Sequence, residues 1–187
     1  MRGFLPNKHV QMTTDFEDCI VSPALKMVAA HWLAARHGDG IPAWTDLKPA
    51  AIKAQLPIVW AYTYDPQTDL FTGRLAGDRV GAVFGKNFRG LAMSDAYPQH
   101  DYSRLFDRCK TTLTEPALYH GIGINVRSSE TSGTGERIMM PLSSDGQNGV
   151  GVFGATEFPP IFSGTIPAIS FESEKESWFF TSGAAKS

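Results

Sequence analysis

The chain has 187 residues, a length typical of one domain with short appendages, and its 42% hydrophobic and 19% charged residues exclude a disordered chain. A net charge of −2 without a basic run argues against nucleic acid as a partner. Cys19 and Cys109, the only cysteines, form neither a disulfide framework nor a metal-type spacing. With no apolar run of signal-peptide length and none of the about 18 residues that a membrane span requires, we expect a cytoplasmic protein.

The first clear element is a helix near residues 23–37. Ser22 and Pro23 supply an N-cap and a first-turn proline, and Gly38 ends the pattern. Apolar residues recur along one side, at Val21, Leu25, Val28 and Trp32. Because this stripe is larger than one sheet edge needs, we expect homodimerisation through the helix. The aromatic run at 178–180 is the alternative cover, within one chain.

A β-hairpin is predicted after this helix. A short helix from Pro49 to about residue 55 ends at Pro57, and two segments rich in β-branched and aromatic residues follow, at 58–64 and 70–76. Turn-forming residues at 65–69 join them.

Residues 78–97 predict short helical turns, since glycines at 81, 85 and 90 are too many for one regular helix. Helical periodicity returns over 101–113, at Tyr102, Leu105, Phe106, Cys109 and Leu113. Three strands are predicted at 117–126, 137–143 and 149–157, with hairpin loops between them at 128–135 and 144–149. The final segment adds a strand around 177–181.

This order of elements resembles the PAS fold. The likeness is strongest to an alphaproteobacterial PAS subfamily long described as a domain of unknown function. The matching features are Trp32, Ile41-Pro42, Pro49, Leu56-Pro57, Tyr64-Asp65, Phe71, the R-L-A-G block at 74–77, and the glycine-rich stretch 84–90. The resemblance implies an α+β fold with a five-stranded antiparallel sheet in the order 2-1-5-4-3. Helices cover one face, and the first helix packs outside or alongside.

The resemblance covers about residues 22–157, so we expect an N-terminal segment at 1–21, a PAS-like domain at 22–157 and a tail at 158–187. It implies a non-catalytic sensory, ligand-binding or interaction domain of bacterial signalling. Many members carry a signalling output module, which this sequence lacks, so we expect action through a partner protein.

A ligand cavity is expected between the sheet and the helices of residues 78–114. Its predicted lining residues are Tyr62, Arg74, Phe88, Tyr102 and Tyr119. The Arg74 guanidinium suits a carboxylate or phosphate, which its planar fork binds through two hydrogen bonds. The alternative is a structural bond from Arg74 to a loop carboxylate such as Asp78 or Asp95. The sequence does not identify the ligand.

Neither flavin nor haem is expected, and no metal site is predicted. Residues 85–91 resemble the flavin-binding segment of light-sensing PAS proteins, but Phe88 stands where those proteins have a reactive cysteine. A haem sensor would use a histidine near the cavity as an axial ligand. Of the two candidates, His100 has the context of a solvated helix cap and His120 lies in a strand.

The alternative function is a small cone-shaped α+β isomerase or hydratase. That chemistry requires an Asp or His base positioned in the cavity. Asp65, Asp69 and Asp101 all fall at turns or helix caps, where carboxylates are expected for structural reasons. The sequence contains neither a nucleophile elbow nor an H-E-x-x-H motif.

Overall fold

The computed structural model describes residues 8–84, 87–127, 132–144, 149–158 and 168–180. Gly85 and residues 128–131 and 145–148 of the two predicted hairpin loops lie outside these ranges, whereas residues 132–135, predicted as loop, belong to a strand. The helices are α1 (Lys8–Cys19), α2 (Pro23–Ala34), α3 (Asp78–Phe84), α4 (Met93–Ala96) and α5 (Gln99–Thr114), with 3₁₀ turns at Trp44–Asp46 and Pro49–Ile58. The strands are β1 (Val59–Asp65), β2 (Leu70–Ala76), β3 (Ala117–Arg127), β4 (Ser132–Ser143), β5 (Gly149–Glu157), β6 (Ala168–Ser170) and β7 (Lys175–Phe180). No described helix is long and apolar enough to cross a membrane.

The strands form one antiparallel sheet in the order β2-β1-β5-β4-β3. This confirms the α+β fold and the strand order 2-1-5-4-3. Two further strands extend the sheet, because β6 and β7 both pair with β3, at opposite ends of that strand. Two parts of the C-terminal segment, at 168–170 and 175–180, therefore belong to the sheet.

Helices cover both faces of the sheet. Because side chains alternate along a strand, Leu118 and Tyr119 belong to two separate cores. The first core, which we call the helical interior, lies between the sheet and α3, α4 and α5. The second lies between the sheet and α1, α2 and the 3₁₀ turns.

The position of α2 differs from the expectation of a dimer helix. Leu25, Val28 and Trp32 are completely buried against the sheet of their own chain, and Trp32 Nε1 donates a hydrogen bond to the Pro141 carbonyl at 2.9 Å. Only Val21, at 69% exposure, remains open to a second copy. The prediction that this stripe forms a homodimer interface is therefore wrong, because three of its four residues are buried against the sheet of the same chain.

An unpredicted helix, α1, precedes α2. Its residues are mostly polar, which is why the sequence shows no sustained period there. Phe16 is nevertheless fully buried, and its ring packs edge-on against Phe179 of β7, with 5.5 Å between centroids. Because part of the apolar contact surface of α1 comes from β7, at the other end of the described chain, local periodicity could not reveal the helix.

The R-L-A-G block crosses the end of the 3₁₀ turns. A Cβ atom on Gly77 would lie 2.5 Å from the Pro57 carbonyl carbon, so only glycine fits this crossing. The Gly77 N–H donates to the Val59 carbonyl at 2.7 Å. The Leu-Pro and R-L-A-G motifs of the sequence are thus two sides of one contact.

Candidate ligand site

Four of the five predicted ligand residues lie in the helical interior. Tyr62, Phe88 and Tyr119 are buried there, and Tyr102 is half-buried on α5. The Tyr62 and Phe88 ring centroids are 4.9 Å apart, and those of Tyr119 and Trp178 are 4.8 Å apart. The structure brings these side chains into one aromatic core, while their contact with a ligand remains a prediction.

Arg74 lies elsewhere, on the exposed edge strand β2. Its guanidinium carbon is 4.3 Å from the Trp44 ring, a cation–π contact. The register of the pairing between β1 and β2 shifts between Ala61 and Tyr62. This irregularity changes which face of the sheet the nearby side chains of β2 occupy. Arg74 and Phe88 both line a surface pocket of about 490 Å³, so these two predicted ligand residues come together at the surface and not in the interior.

A cluster of buried charges lies in the helical interior. Arg108 of α5 donates to Glu174 through Nη1 at 2.5 Å, and Arg137 Nε of β4 lies 3.5 Å from the same carboxylate. These three side chains are 6%, 3% and 0% exposed. Arg108 also donates to Glu176 through Nη2 at 2.6 Å. We call the two guanidinium groups and the space between them the Arg108–Arg137 site.

Burial and neighbouring charges shift two pKa values at this site, those of Arg108 and Tyr119. Burial alone would lower the pKa of Arg108, but Glu174, Tyr119 and Glu176 outweigh it and raise that pKa. Burial, reinforced by Glu174, raises the pKa of Tyr119 far above its ordinary value. The site therefore presents charged guanidinium groups and a neutral hydroxyl, all of which are hydrogen-bond donors.

The Glu174 carboxylate leaves several buried polar atoms of the site without a hydrogen bond. Among the described residues, Tyr119 Oη, Arg137 Nε and Glu174 Oε1 are buried without a hydrogen-bond partner. Gly121 makes the space that they share, because a Cβ atom there would collide with Glu174 Oε1 and lie 2.6 Å from Tyr119 Oη. The site thus accommodates one carboxylate, and it offers more hydrogen-bond donors than Glu174 uses.

The contacts of the turn at residues 171–174 hold Glu174 in position. The Phe171 N–H donates to Asp101 Oδ1 at 3.3 Å, and Asp101 is 2% exposed. The Phe171 ring lies 4.1 Å from the Arg137 guanidinium carbon. Gly123, with φ of 98°, passes the Ser173 carbonyl closely, at 3.0 Å from the position a Cβ would take.

Sequence reasoning missed the Arg108–Arg137 site, although signals for it exist. Arg108 follows Leu105 by three residues and precedes Cys109, so it falls on the buried side of α5. Arg137 stands two residues before the buried Met139 on the same strand face. Glycine inside a strand, as at Gly121, often marks the close approach of another group. The carboxylate partner, however, comes from a distant turn.

His120 does not lie in the helical interior, contrary to the expectation. It shares a strand face with Leu118, in the core beneath α1 and α2. Its Nε2 is 2.7 Å from Glu136 Oε1, and Glu136 accepts the backbone N–H groups of Val21 and Ser22 at 2.7 and 2.8 Å. This pair anchors the start of α2 to the sheet.

The other residues considered for cofactor chemistry have structural surroundings. His100 is 70% exposed, with Nε2 3.2 Å from Asp101 Oδ2. Cys109 is buried, and burial raises its pKa to about 12, so it stays a thiol. Within the described ranges, no group of three or more His, Cys, Asp or Glu side chains is placed to hold a metal ion.

A separate apolar cavity of about 460 Å³ lies on the other face of the sheet, between β1, β2, α2 and the 3₁₀ turns. Its lining includes Trp44, Ile52, Leu75 and Phe153. His31 also lines it and accepts the Lys48 N–H at 3.1 Å, and burial together with Lys48 lowers the pKa of that histidine. The cavity thus presents carbon surface and a neutral imidazole.

Comparison with known proteins agrees with this architecture. A family model described as a PAS domain matches residues 20–157. The match contains α2, the sheet from β1 to β5, and the helices that form the helical interior. Neither the comparison with curated proteins nor that with solved structures gave a match.

Proposed function

The chain belongs to the PAS domain family of sensory and signalling domains, and we propose that it is a non-catalytic sensor that binds a small molecule in its helical interior. The Arg108–Arg137 site carries this proposal, because buried charged donors beside an aromatic core are the polar groups that orient a ligand. Tyr62, Phe88, Tyr102 and Tyr119 are the proposed aromatic contacts. Residues 22–157 form the proposed sensory unit, flanked by segments 1–21 and 158–187.

The proposed output is a change of conformation that a partner protein reads in the cytoplasm. A ligand can shift such an equilibrium only if it binds one conformation more tightly than the other. Binding in the helical interior would act on many elements at once, because α5 and all five strands from β1 to β5 contribute side chains there. A second copy of the chain is a further proposed partner, through a surface other than the buried stripe of α2.

The direct test is to denature the purified protein and identify released small molecules by mass spectrometry. A compound released in stoichiometric amount, which then rebinds refolded protein, is the expected result. A Tyr62→Ala variant should release less of it, whereas Thr68→Ala, in the exposed β1–β2 turn, is the matched control. Lack of binding by any compound, in the extract or in a metabolite screen, would contradict the proposal.

The same experiment separates the sensor from the isomerase or hydratase alternative. A sensor returns the compound unchanged after incubation, whereas an enzyme converts it to an isomer or hydrated product. The buried carboxylate of Glu136 is no candidate base for that alternative, since it lies on the opposite face of the sheet and its contacts with His120 and two backbone N–H groups lower its pKa despite burial. A catalytic acid or base needs a pKa nearer neutrality.

A further inference from the structure

Both arginines of the Arg108–Arg137 site belong to the PAS match, but their carboxylate partners do not. In the described part of the chain, those partners are Glu174 and Glu176, which follow the matched residues 20–157. Two buried guanidinium groups require a compensating anion, because burial removes their hydration. The matched unit therefore contains an anion site whose present occupant comes from a flanking segment.

The occupant fits this anion site imperfectly. Glu174 Oε2 takes the Arg108 hydrogen bond, but Oε1 lies 3.5 Å from Arg137 Nε and makes no hydrogen bond in the described structure. The Tyr119 hydroxyl, next to the same oxygen, is equally unsatisfied. A carboxylate that is not tethered to the turn can move to accept from both arginines and from Tyr119, which Glu174 does not achieve.

A surface pocket adjoins the site on the side of Arg108. This pocket of about 430 Å³ is lined by Arg108 together with Glu176, Trp178 and Phe180 of β7. Glu176 is 37% exposed, so one side of the Arg108 guanidinium is close to water. The aromatic walls at Tyr119 and Trp178 suit an organic body attached to the carboxylate.

We propose that the Arg108–Arg137 site binds a small organic carboxylate, and that Glu174 fills it as a tethered substitute when that ligand is absent. This deepens the proposed sensory function and rests on it. Two carboxylates repel each other in one buried site, so the ligand expels Glu174. Expulsion loosens the turn at 171–174 and with it β7, which uncovers the β3 edge to which β7 is paired. An uncovered strand edge is a surface that another chain can pair with.

The first test is chemical rescue with sodium acetate as the probe. Glu174→Ala should lower the thermal unfolding midpoint, because it leaves the two guanidinium groups without their central anion. Acetate should then raise that midpoint saturably, and sodium chloride at equal ionic strength should not. Glu172→Ala, an exposed glutamate in the same turn, is the matched control and should show neither effect. If Glu174→Ala fails to fold, Glu174→Gln replaces it, since the amide keeps the volume and removes the charge.

Equal responses to acetate and chloride, or equal responses of Glu174→Ala and Glu172→Ala, would overturn the anion site. The second test uses the wild-type protein and hydrogen exchange. Acetate should increase exchange of the β7 amides severalfold while leaving α2 unchanged. Unchanged β7 exchange, at concentrations that rescue Glu174→Ala, would overturn displacement of Glu174.

These outcomes are distinct from failure of the sensor proposal. A released ligand without a carboxylate, combined with absent acetate rescue, would leave the sensor function intact and remove this inference. Acetate rescue in a protein that binds no metabolite would leave the anion site intact and remove the sensor function.

Discussion

At the scale of single residues, the pair of His120 and Glu136 links stability to pH. Burial by itself lowers the pKa of His120, but contacts with the Cys19 thiol and the Glu136 carboxylate outweigh burial and raise that pKa to about 9. The ordinary value is 6.5, so the folded protein holds the histidine proton more tightly than the unfolded chain. This stabilisation is complete below pH 6.5 and is lost as the pH rises toward 9.

We therefore expect the free energy of unfolding to fall between pH 6.5 and 9, by roughly 3 kcal/mol at most. Thermal or urea unfolding across this range measures the effect. His120→Gln can still donate to Glu136 without titrating, so its profile should be flatter. Equal pH dependence in both proteins would contradict the assignment.

Arg74 tests the surface pocket beside β2. If the guanidinium binds an anionic group of the ligand, Arg74→Lys should weaken binding, because lysine cannot replace the planar fork. In that case the loss is about 1–2 kcal/mol, measured by titration calorimetry with the ligand from the release experiment. Arg89→Lys in the same pocket is the control. Unchanged affinity would leave Arg74 with its structural contact to Trp44.

At the scale of elements, α2 is part of the core. Trp32 combines complete burial with a hydrogen bond to β4, so a charge at this position has neither water nor a partner. The apolar face of α2 that was predicted to form a dimer is buried, so any interface on α2 must use its exposed side. Met27, 51% exposed, lies on that side.

Trp32→Glu should therefore lower the free energy of unfolding by more than about 4 kcal/mol or prevent folding. Met27→Glu introduces the same charge on the exposed side and should leave the unfolding midpoint nearly unchanged. Light scattering of the wild type and Met27→Glu then tests the dimer proposal on a folded protein. A native unfolding midpoint for Trp32→Glu would contradict the packing of α2 on the sheet.

The contact between α1 and β7 joins the two ends of the described chain. Phe179→Ala should lower the free energy of unfolding by about 2–3 kcal/mol and raise hydrogen exchange throughout α1, because Phe16 loses its ring contact. Phe180→Ala is the control, since that neighbour is 44% exposed. Exchange in α1 that does not respond to Phe179→Ala would show that the helix is supported elsewhere.

At the scale of the whole molecule, flanking elements enclose a PAS unit on two sides. On one face, α1 packs beside α2 in the second core, and on the other the turn at 171–174 enters the helical interior. The aromatic side chains Tyr62, Phe71 and Phe88 pack together in that interior. This packing fills that part of the interior with carbon surface.

We accordingly expect a colourless protein. Phe88 provides no thiol for a flavin adduct, and His120 is paired with Glu136 on the opposite face. An absorption spectrum of freshly purified protein, recorded before and after gel filtration, measures this. A Soret band, or a flavin spectrum that persists through the column, would contradict it.

The sequence by itself determined the elements with strong local signals. The Ser-Pro cap located α2, and the β-branched runs and turn residues located β1, β2, β3, β5 and the second half of β4. The R-L-A-G block supported the family and with it the strand order. Such signals depend on neighbours within a few residues, which a periodic pattern records. The bounds of β2 and β5 were predicted without error for this reason.

Only the tertiary structure decided what those elements face. Whether Trp32 meets a second chain or its own sheet depends on which surfaces the fold leaves open, and periodicity is the same in both cases. The helix α1 packs against Phe179, more than a hundred residues away, and the charge of Arg108 is balanced by Glu174 from a turn beyond the PAS match. Ion pairs and edge contacts between distant segments have no local period, so the sequence could not place the Arg108–Arg137 site.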